Sequence, residues 1–191
     1  MERPSQTLVR LELETHAYHR DADQPWLDLL DPFLTRLAYA EQLGRMYCFE
    51  CPVESALAYT PHVTSLIGHR ARSRLLAHDL FALDYSQARL SPRLIAPFPT
   101  VASALGWLYV LERSARLYDL VVRNVAARLP GAPTEYVADP AAPARWTALG
   151  EVLDRVARTA PIADQIVLAA HDAFRSLLDW YVGEQALRRG A

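Results

Sequence analysis

Residues 8–20 read Leu-Val-Arg-Leu-Glu-Leu-Glu-Thr-His-Ala-Tyr-His-Arg, and this composition predicts a helix of about three turns. Leu8, Glu12, Thr15 and His19 are spaced by three and four residues. At 3.6 residues per turn they form one stripe along the helix. A stripe packed on a core is normally apolar throughout; this one mixes leucine with carboxylate and hydroxyl and ends in an imidazole. His19 then has two readings. It is a boundary histidine whose ring nitrogens are hydrogen-bonded within the protein, or it is a ligand for iron, a role neutral imidazole often fills. The stretch alone leaves both open.

The remainder of the chain narrows the fold class. It has 191 residues, 51% of them hydrophobic, enough for one core without staples. Alanine and leucine dominate, glycine numbers only 7, and no alternating run of β-branched residues occurs, so an all-α protein is expected. The formal net charge of -2 gives no electrostatic footprint for nucleic acid or an anionic membrane surface. All 20 basic residues are arginine. Any anion held by a side-chain cation is therefore held by a planar guanidinium fork, and Schiff-base chemistry on lysine is excluded. No apolar run reaches about 18 residues, so no membrane span is expected. The opening Met-Glu-Arg-Pro-Ser-Gln lacks the layout of a secretory signal, and a cytoplasmic location is expected. Cys48 and Cys51 form a lone C-x-x-C. Zinc would need a second pair and thioredoxin-like chemistry a βαβ setting, so they read as reduced, partly buried thiols.

Along the chain, Asp31-Pro32 reads as a helix start and Cys51-Pro52 as its interruption. Residues 62–83 read as one amphipathic helix, on which Arg70, Arg72 and Arg74 form a solvated or salt-bridged face. The three prolines between Ser86 and Thr100 mark a loop. Val101 to Arg128 is the longest periodic stretch and predicts one helix. A proline-rich connection leads to a helix over Trp146–Arg158, and Pro161 opens the last helix. The chain reads as a single domain, 1–191, with flexible ends at about 1–6 and 186–191.

No glycine-rich phosphate loop, nucleophile elbow or H-E-x-x-H occurs, and the absence of Glu-x-x-His argues against a carboxylate-bridged di-iron site. Five stretches in order do resemble heme oxygenases of the bacterial, biliverdin-producing type. They are Leu11 to His19, similar to L-x-x-x-T-x-x-x-H; Tyr39 to Leu57, with its Tyr, Tyr and Glu; Arg74 to Leu80; Ala104 to Glu112; and Ala169 to Phe174. The resemblance covers nearly the whole chain. It implies a compact single-domain helical bundle with heme, both substrate and cofactor, between a proximal and a distal helix. It also implies cleavage to biliverdin, carbon monoxide and ferrous iron. Electrons would come from an external ferredoxin- or flavoprotein-type reductase, and the chain would be a monomer or weak dimer. It puts His19 on the iron, Thr15, Arg113, Leu117 and Tyr118 around the heme, and Ser114 in the catalytic position. Arg10, Arg20 and Arg175 are possible propionate anchors by proximity to the matched stretches.

One departure bears on function. After Leu111-Glu112 the family usually reads G-x-x-x-G-G; here Arg113, Leu117 and Tyr118 stand at those positions. Glycine lets backbone approach a ligand and lets a helix bend, so its loss predicts a straighter helix, with either Leu117 or Tyr118 filling part of the heme space or the helix standing back and leaving a wider pocket. Two functional expectations therefore stand together: a heme oxygenase, or a catalytically impaired protein of the same fold that binds heme or a tetrapyrrole weakly or acts through protein contacts. A helical interaction module unrelated to heme is the third.

Overall fold

The computed structural model describes residues 4–68, 70–86 and 89–189, and from 182 onward the backbone alone. The N-terminal stripe is not one helix. Helix α1 (Gln6–Glu14) and helix α2 (His16–Leu27) meet at Thr15, whose backbone leaves the helical region at φ -97°, ψ 3°. The cause is local. Thr15 Oγ1 donates to Leu11 O at 2.7 Å, a back-bond that competes with the helix ladder and bends it. Ser5 caps α1 through its hydroxyl, which accepts from Leu8 N.

Asp31-Pro32 forms a turn rather than a helix start. Asp31 Oδ1 accepts from Phe33 N, and Thr35 instead caps helix α3 (Arg36–Tyr59) by accepting from Ala38 N. Helix α3 also continues through Cys51-Pro52, against the sequence expectation. The flanking Tyr39, Leu43, Met46, Phe49, Val53 and Leu57 are all buried. Packing over six turns outweighs the one ladder bond proline removes. Cys48 is buried and Cys51 half-buried, and neither forms a disulfide among the described residues.

The helix expected over 62–83 is two: α4 (Val63–Ile67) and α5 (Ser73–Ala82). They are separated at Gly68, whose φ of 72° lies in the left-handed region that favours glycine. The stretch Val101–Arg128 is likewise divided into α6 (Val101–Arg113), a 3₁₀ turn at Ser114–Leu117, and α7 (Tyr118–Arg128). The expected straight helix is thus corrected. Ser114 Oγ donates to Leu111 O at 2.7 Å, so a serine back-bond tightens the turn that lies between the replaced glycine positions. Helices α8 (Ala142–Val156) and α9 (Ala160–Arg189) complete the bundle. The expected flexible ends at 1–3 and 190–191 lie outside the described residues, whereas the backbone of 186–189 continues α9.

Helix α6 lies along α9, α3 along α5, and α8 against α1 and α6. The α6–α9 approach is close enough that a Cβ on Gly106 would meet Ile166 O at 2.4 Å and Ala169 Cβ at 2.7 Å. This is the one glycine in α6, and its lack of a side chain sets the helix spacing. The Phe49, Trp107 and Trp180 rings pack together beside this contact. Tyr18 stacks on Phe174 at 5.4 Å and ties α2 to α9.

Candidate functional site

The resemblance directs attention to the seam between α2 and the end of α6. His19 is half-buried, with Phe174 and His16 as ring neighbours at 5.7 and 5.6 Å. Its Nε2 is 3.0 Å from Thr15 Oγ1. The single hydroxyl proton of Thr15 goes to Leu11 O, so Thr15 accepts here and Nε2 carries the imidazole proton. Desolvation, reinforced by the charge of Arg113, lowers the His19 pKa below its ordinary value. The ring is therefore held neutral, the state that ligates metal. As folded, however, its lone pair is on Nδ1.

The opposite wall meets α1 and α2 directly. Arg113, in the first of the replaced glycine positions, is buried and grips Asp23 with both terminal nitrogens, Nη1 to Oδ1 at 2.6 Å and Nη2 to Oδ2 at 2.9 Å. Asp23 is one turn beyond His19 on α2. Tyr109 OH donates to Glu12 Oε1 at 3.1 Å and is 3.3 Å from Thr15 Oγ1. Arg116 pairs with the other Glu12 oxygen at 2.6 Å. Bidentate guanidinium–carboxylate geometry is among the strongest polar contacts proteins make. Here it spans the two helices between which the resemblance would place heme.

The other expected site residues separate from this seam. Tyr118 is buried against Trp26, with ring centres 5.0 Å apart. Its hydroxyl donates to Tyr136 OH at 2.7 Å, and that hydroxyl donates in turn to Glu50 Oε2 at 2.5 Å. Ser114 Oγ lies 2.9 Å from Tyr118 OH, at the head of this chain. Leu117 is half-buried against the core. Of the suggested anchors, Arg10 pairs with Glu14 and Asp164 and Arg175 with Asp172; Arg20 is exposed.

A second polar centre was not legible beforehand. Arg70 and Arg72, expected on a solvated or salt-bridged face, are salt-bridged but turned inward, while Arg74 is exposed. Arg70 Nη1 donates to Glu50 Oε1 at 2.6 Å and Glu54 Oε1 at 2.7 Å, and Nε to Glu112 Oε1 at 2.9 Å. Glu112 Oε2 accepts from Arg145 Nε at 3.0 Å. Arg72 pairs with Asp139 at 3.2 Å and lies over the Tyr136 ring at 4.4 Å. Burial pushes Glu112 up, but the charges of Arg70 and Arg145 outweigh it and hold the carboxyl below its ordinary value. Glu50 ends above its ordinary value because burial prevails over Arg70 and Arg72. Asp79 Oδ1 and Oδ2 accept from Glu135 N and Tyr136 N, fixing the loop that brings Tyr136 to this cluster.

No protein-family model and no curated protein matches the chain. The likeness is structural. The chain is similar to the heme oxygenase of Neisseria meningitidis in its NO- and CO-bound crystal structures, with a TM-score of 0.72 at 21% identity, over 91% of this chain and 90% of that one. Coverage on both sides means that the whole bundle is shared, not one hairpin. The fold is the all-α, single-domain bundle of the heme oxygenase type, as the order of the five sequence stretches implied.

Proposed function

We propose that this chain is a catalytically impaired heme oxygenase-like protein, one that binds heme or a related tetrapyrrole weakly through His19 and cleaves it poorly. The observation that carries this reading is the Arg113–Asp23 ion pair across the α2–α6 seam. The neutral His19 imidazole suits iron, and heme bound there would supply redox chemistry at the iron. The space does not suit a porphyrin while Arg113 bridges α6 to α2 and Tyr109 ties α6 to Glu12 of α1. Binding therefore costs the bidentate pair, the Thr15–His19 hydrogen bond and a change of tautomer, and each subtracts from affinity. The arrangement supports no cleavage step while these contacts stand.

Hemin titration monitored by absorbance in the Soret region tests the proposal. The unmodified protein is expected to saturate weakly, Arg113→Gly to bind at least roughly tenfold more tightly, and His19→Ala to lose the histidine-ligated spectrum. Addition of a reductase system then reads biliverdin. Tight 1:1 binding by the unmodified chain, with turnover no lower than in Arg113→Gly, would overturn the proposal in favour of an ordinary heme oxygenase.

A further inference from the structure

Away from the α2–α6 seam, three metal-ligating side chains converge where α5 meets the connection between α7 and α8. His78 and Asp79 are neighbours on α5, and Glu135 lies on the connection. One ligand atom from each lies within 4.8 Å of the other two. His78 Nδ1 is 3.3 Å from Glu135 Oε2 and 3.7 Å from Asp79 Oδ1. Zinc holds imidazole nitrogen and carboxylate oxygen at about 2.0–2.2 Å, so neighbouring ligand atoms of a tetrahedral site stand roughly 3.3–3.6 Å apart. Both His78 distances are close to that edge length. Only the two carboxylates need to draw together.

Asp79 is fixed for this role by the backbone. Its side chain is 0% exposed, and Oδ1 and Oδ2 accept from Glu135 N at 3.2 Å and Tyr136 N at 2.9 Å. An ionised carboxylate offers about four acceptor sites, so these two bonds leave capacity on both oxygens. The same amides hold Glu135 beside it. The His78 and Glu135 side chains reach solvent and can settle around an ion. The charges in this cluster do not balance. Two carboxylates face one imidazole, and neither is ion-paired with an arginine among the described residues. Around Glu112, by contrast, every carboxylate meets a guanidinium. Burial, reinforced by the negative charge of Glu135, holds the Asp79 carboxyl above its ordinary value. A cation between the three groups relieves both effects. Imidazole with carboxylates is a donor set that suits zinc, whereas calcium prefers oxygen alone.

We propose that His78 Nδ1, Asp79 Oδ1 and Glu135 Oε2 bind a zinc-class divalent ion, with water as the fourth ligand on the solvent side. The ion clamps α5 to residues 134–137 and so steadies the segment that brings Tyr136 to Glu50. None of the three residues belongs to the α2–α6 seam, so this site stands apart from heme binding. Calorimetric titration of the EDTA-treated, dialysed full chain with zinc chloride tests the proposal, with calcium chloride as the control. Zinc is expected to bind 1:1 and calcium at least roughly tenfold more weakly. His78→Ala and Glu135→Gln should each weaken zinc by at least roughly tenfold, and both change exposed side chains that the fold does not need. His16→Ala should leave zinc binding unchanged, which separates this site from the His16–His19 pair on α2. Zinc should also raise the thermal unfolding midpoint of the unmodified chain and not that of His78→Ala. Absence of 1:1 zinc binding would reduce His78 and Glu135 to an ion pair and overturn the proposal. Full binding by His78→Ala, its loss in His16→Ala, or calcium binding as tight as zinc would overturn it equally.

Discussion

Two buried polar regions lie at opposite ends of the same short run, Glu112-Arg113, and they are built on different principles. At Arg113, one bidentate pair closes a seam whose acidic partner, Asp23, keeps 23% of its side chain exposed. At Glu112, one carboxylate with a side chain 3% exposed is shared between two guanidinium groups, and Arg70 is shared between three carboxylates. The first opens more readily, because water already reaches Asp23, although Arg113 is buried. The second does not, because removing any member strands a charge in the interior. Adjacent residues thus contribute a latch and a keystone, and the difference comes from burial rather than from residue type.

Breaking the keystone should have the largest effect. Arg70→Met leaves Glu50, Glu54 and Glu112 without their common cation, and a loss of about 3–5 kcal/mol is expected, read by urea denaturation. Next is the helix contact that supports both regions. Gly106→Ala forces a Cβ onto Ile166 O and should cost about 1–3 kcal/mol, measured in the same way. The latch should be cheaper to break. Arg113→Gly is expected to cost roughly 1 kcal/mol for glycine in a helix, plus the lost pair, while raising hemin affinity. A variant that lost as much stability as Arg70→Met would make the two regions alike.

The latch is also expected to respond to pH through His19. Its folded pKa is lowered from 6.5, chiefly by desolvation. As pH falls below about 6.5 the unfolded chain takes up this proton first. The stabilising contribution is therefore full above that pH and is lost as pH falls toward the folded pKa. His19→Gln should flatten this part of the stability profile, and an unchanged profile would mean that the ring is not held neutral. The smallest effect belongs to the cysteines. Cys51→Ser, at a half-buried thiol with no disulfide, should leave hemin binding unchanged, as read by the same titration.

The chain by itself was enough for the all-helical class, the single core and the order of helices. The repeating apolar residues of α6, α7 and α9 are a local signal that survives without neighbours. It also placed Thr15 and His19 on one face, and the structure puts their side chains 3.0 Å apart. It did not reveal the breaks at Thr15 and Ser114, because a hydroxyl that back-bonds to a carbonyl looks the same in sequence as one that points to water. Nor did it show that α3 would continue through Pro52, which depends on packing along the whole helix. The Glu112 centre was illegible for a different reason. Its partners Arg70 and Arg145 lie 42 and 33 positions away, and pairings at that range leave no periodic mark. Only the tertiary structure could decide that Arg70 is buried against carboxylates while Arg74, four residues on, faces solvent. Burial is a property of the packed chain, and it sets what each charge can do.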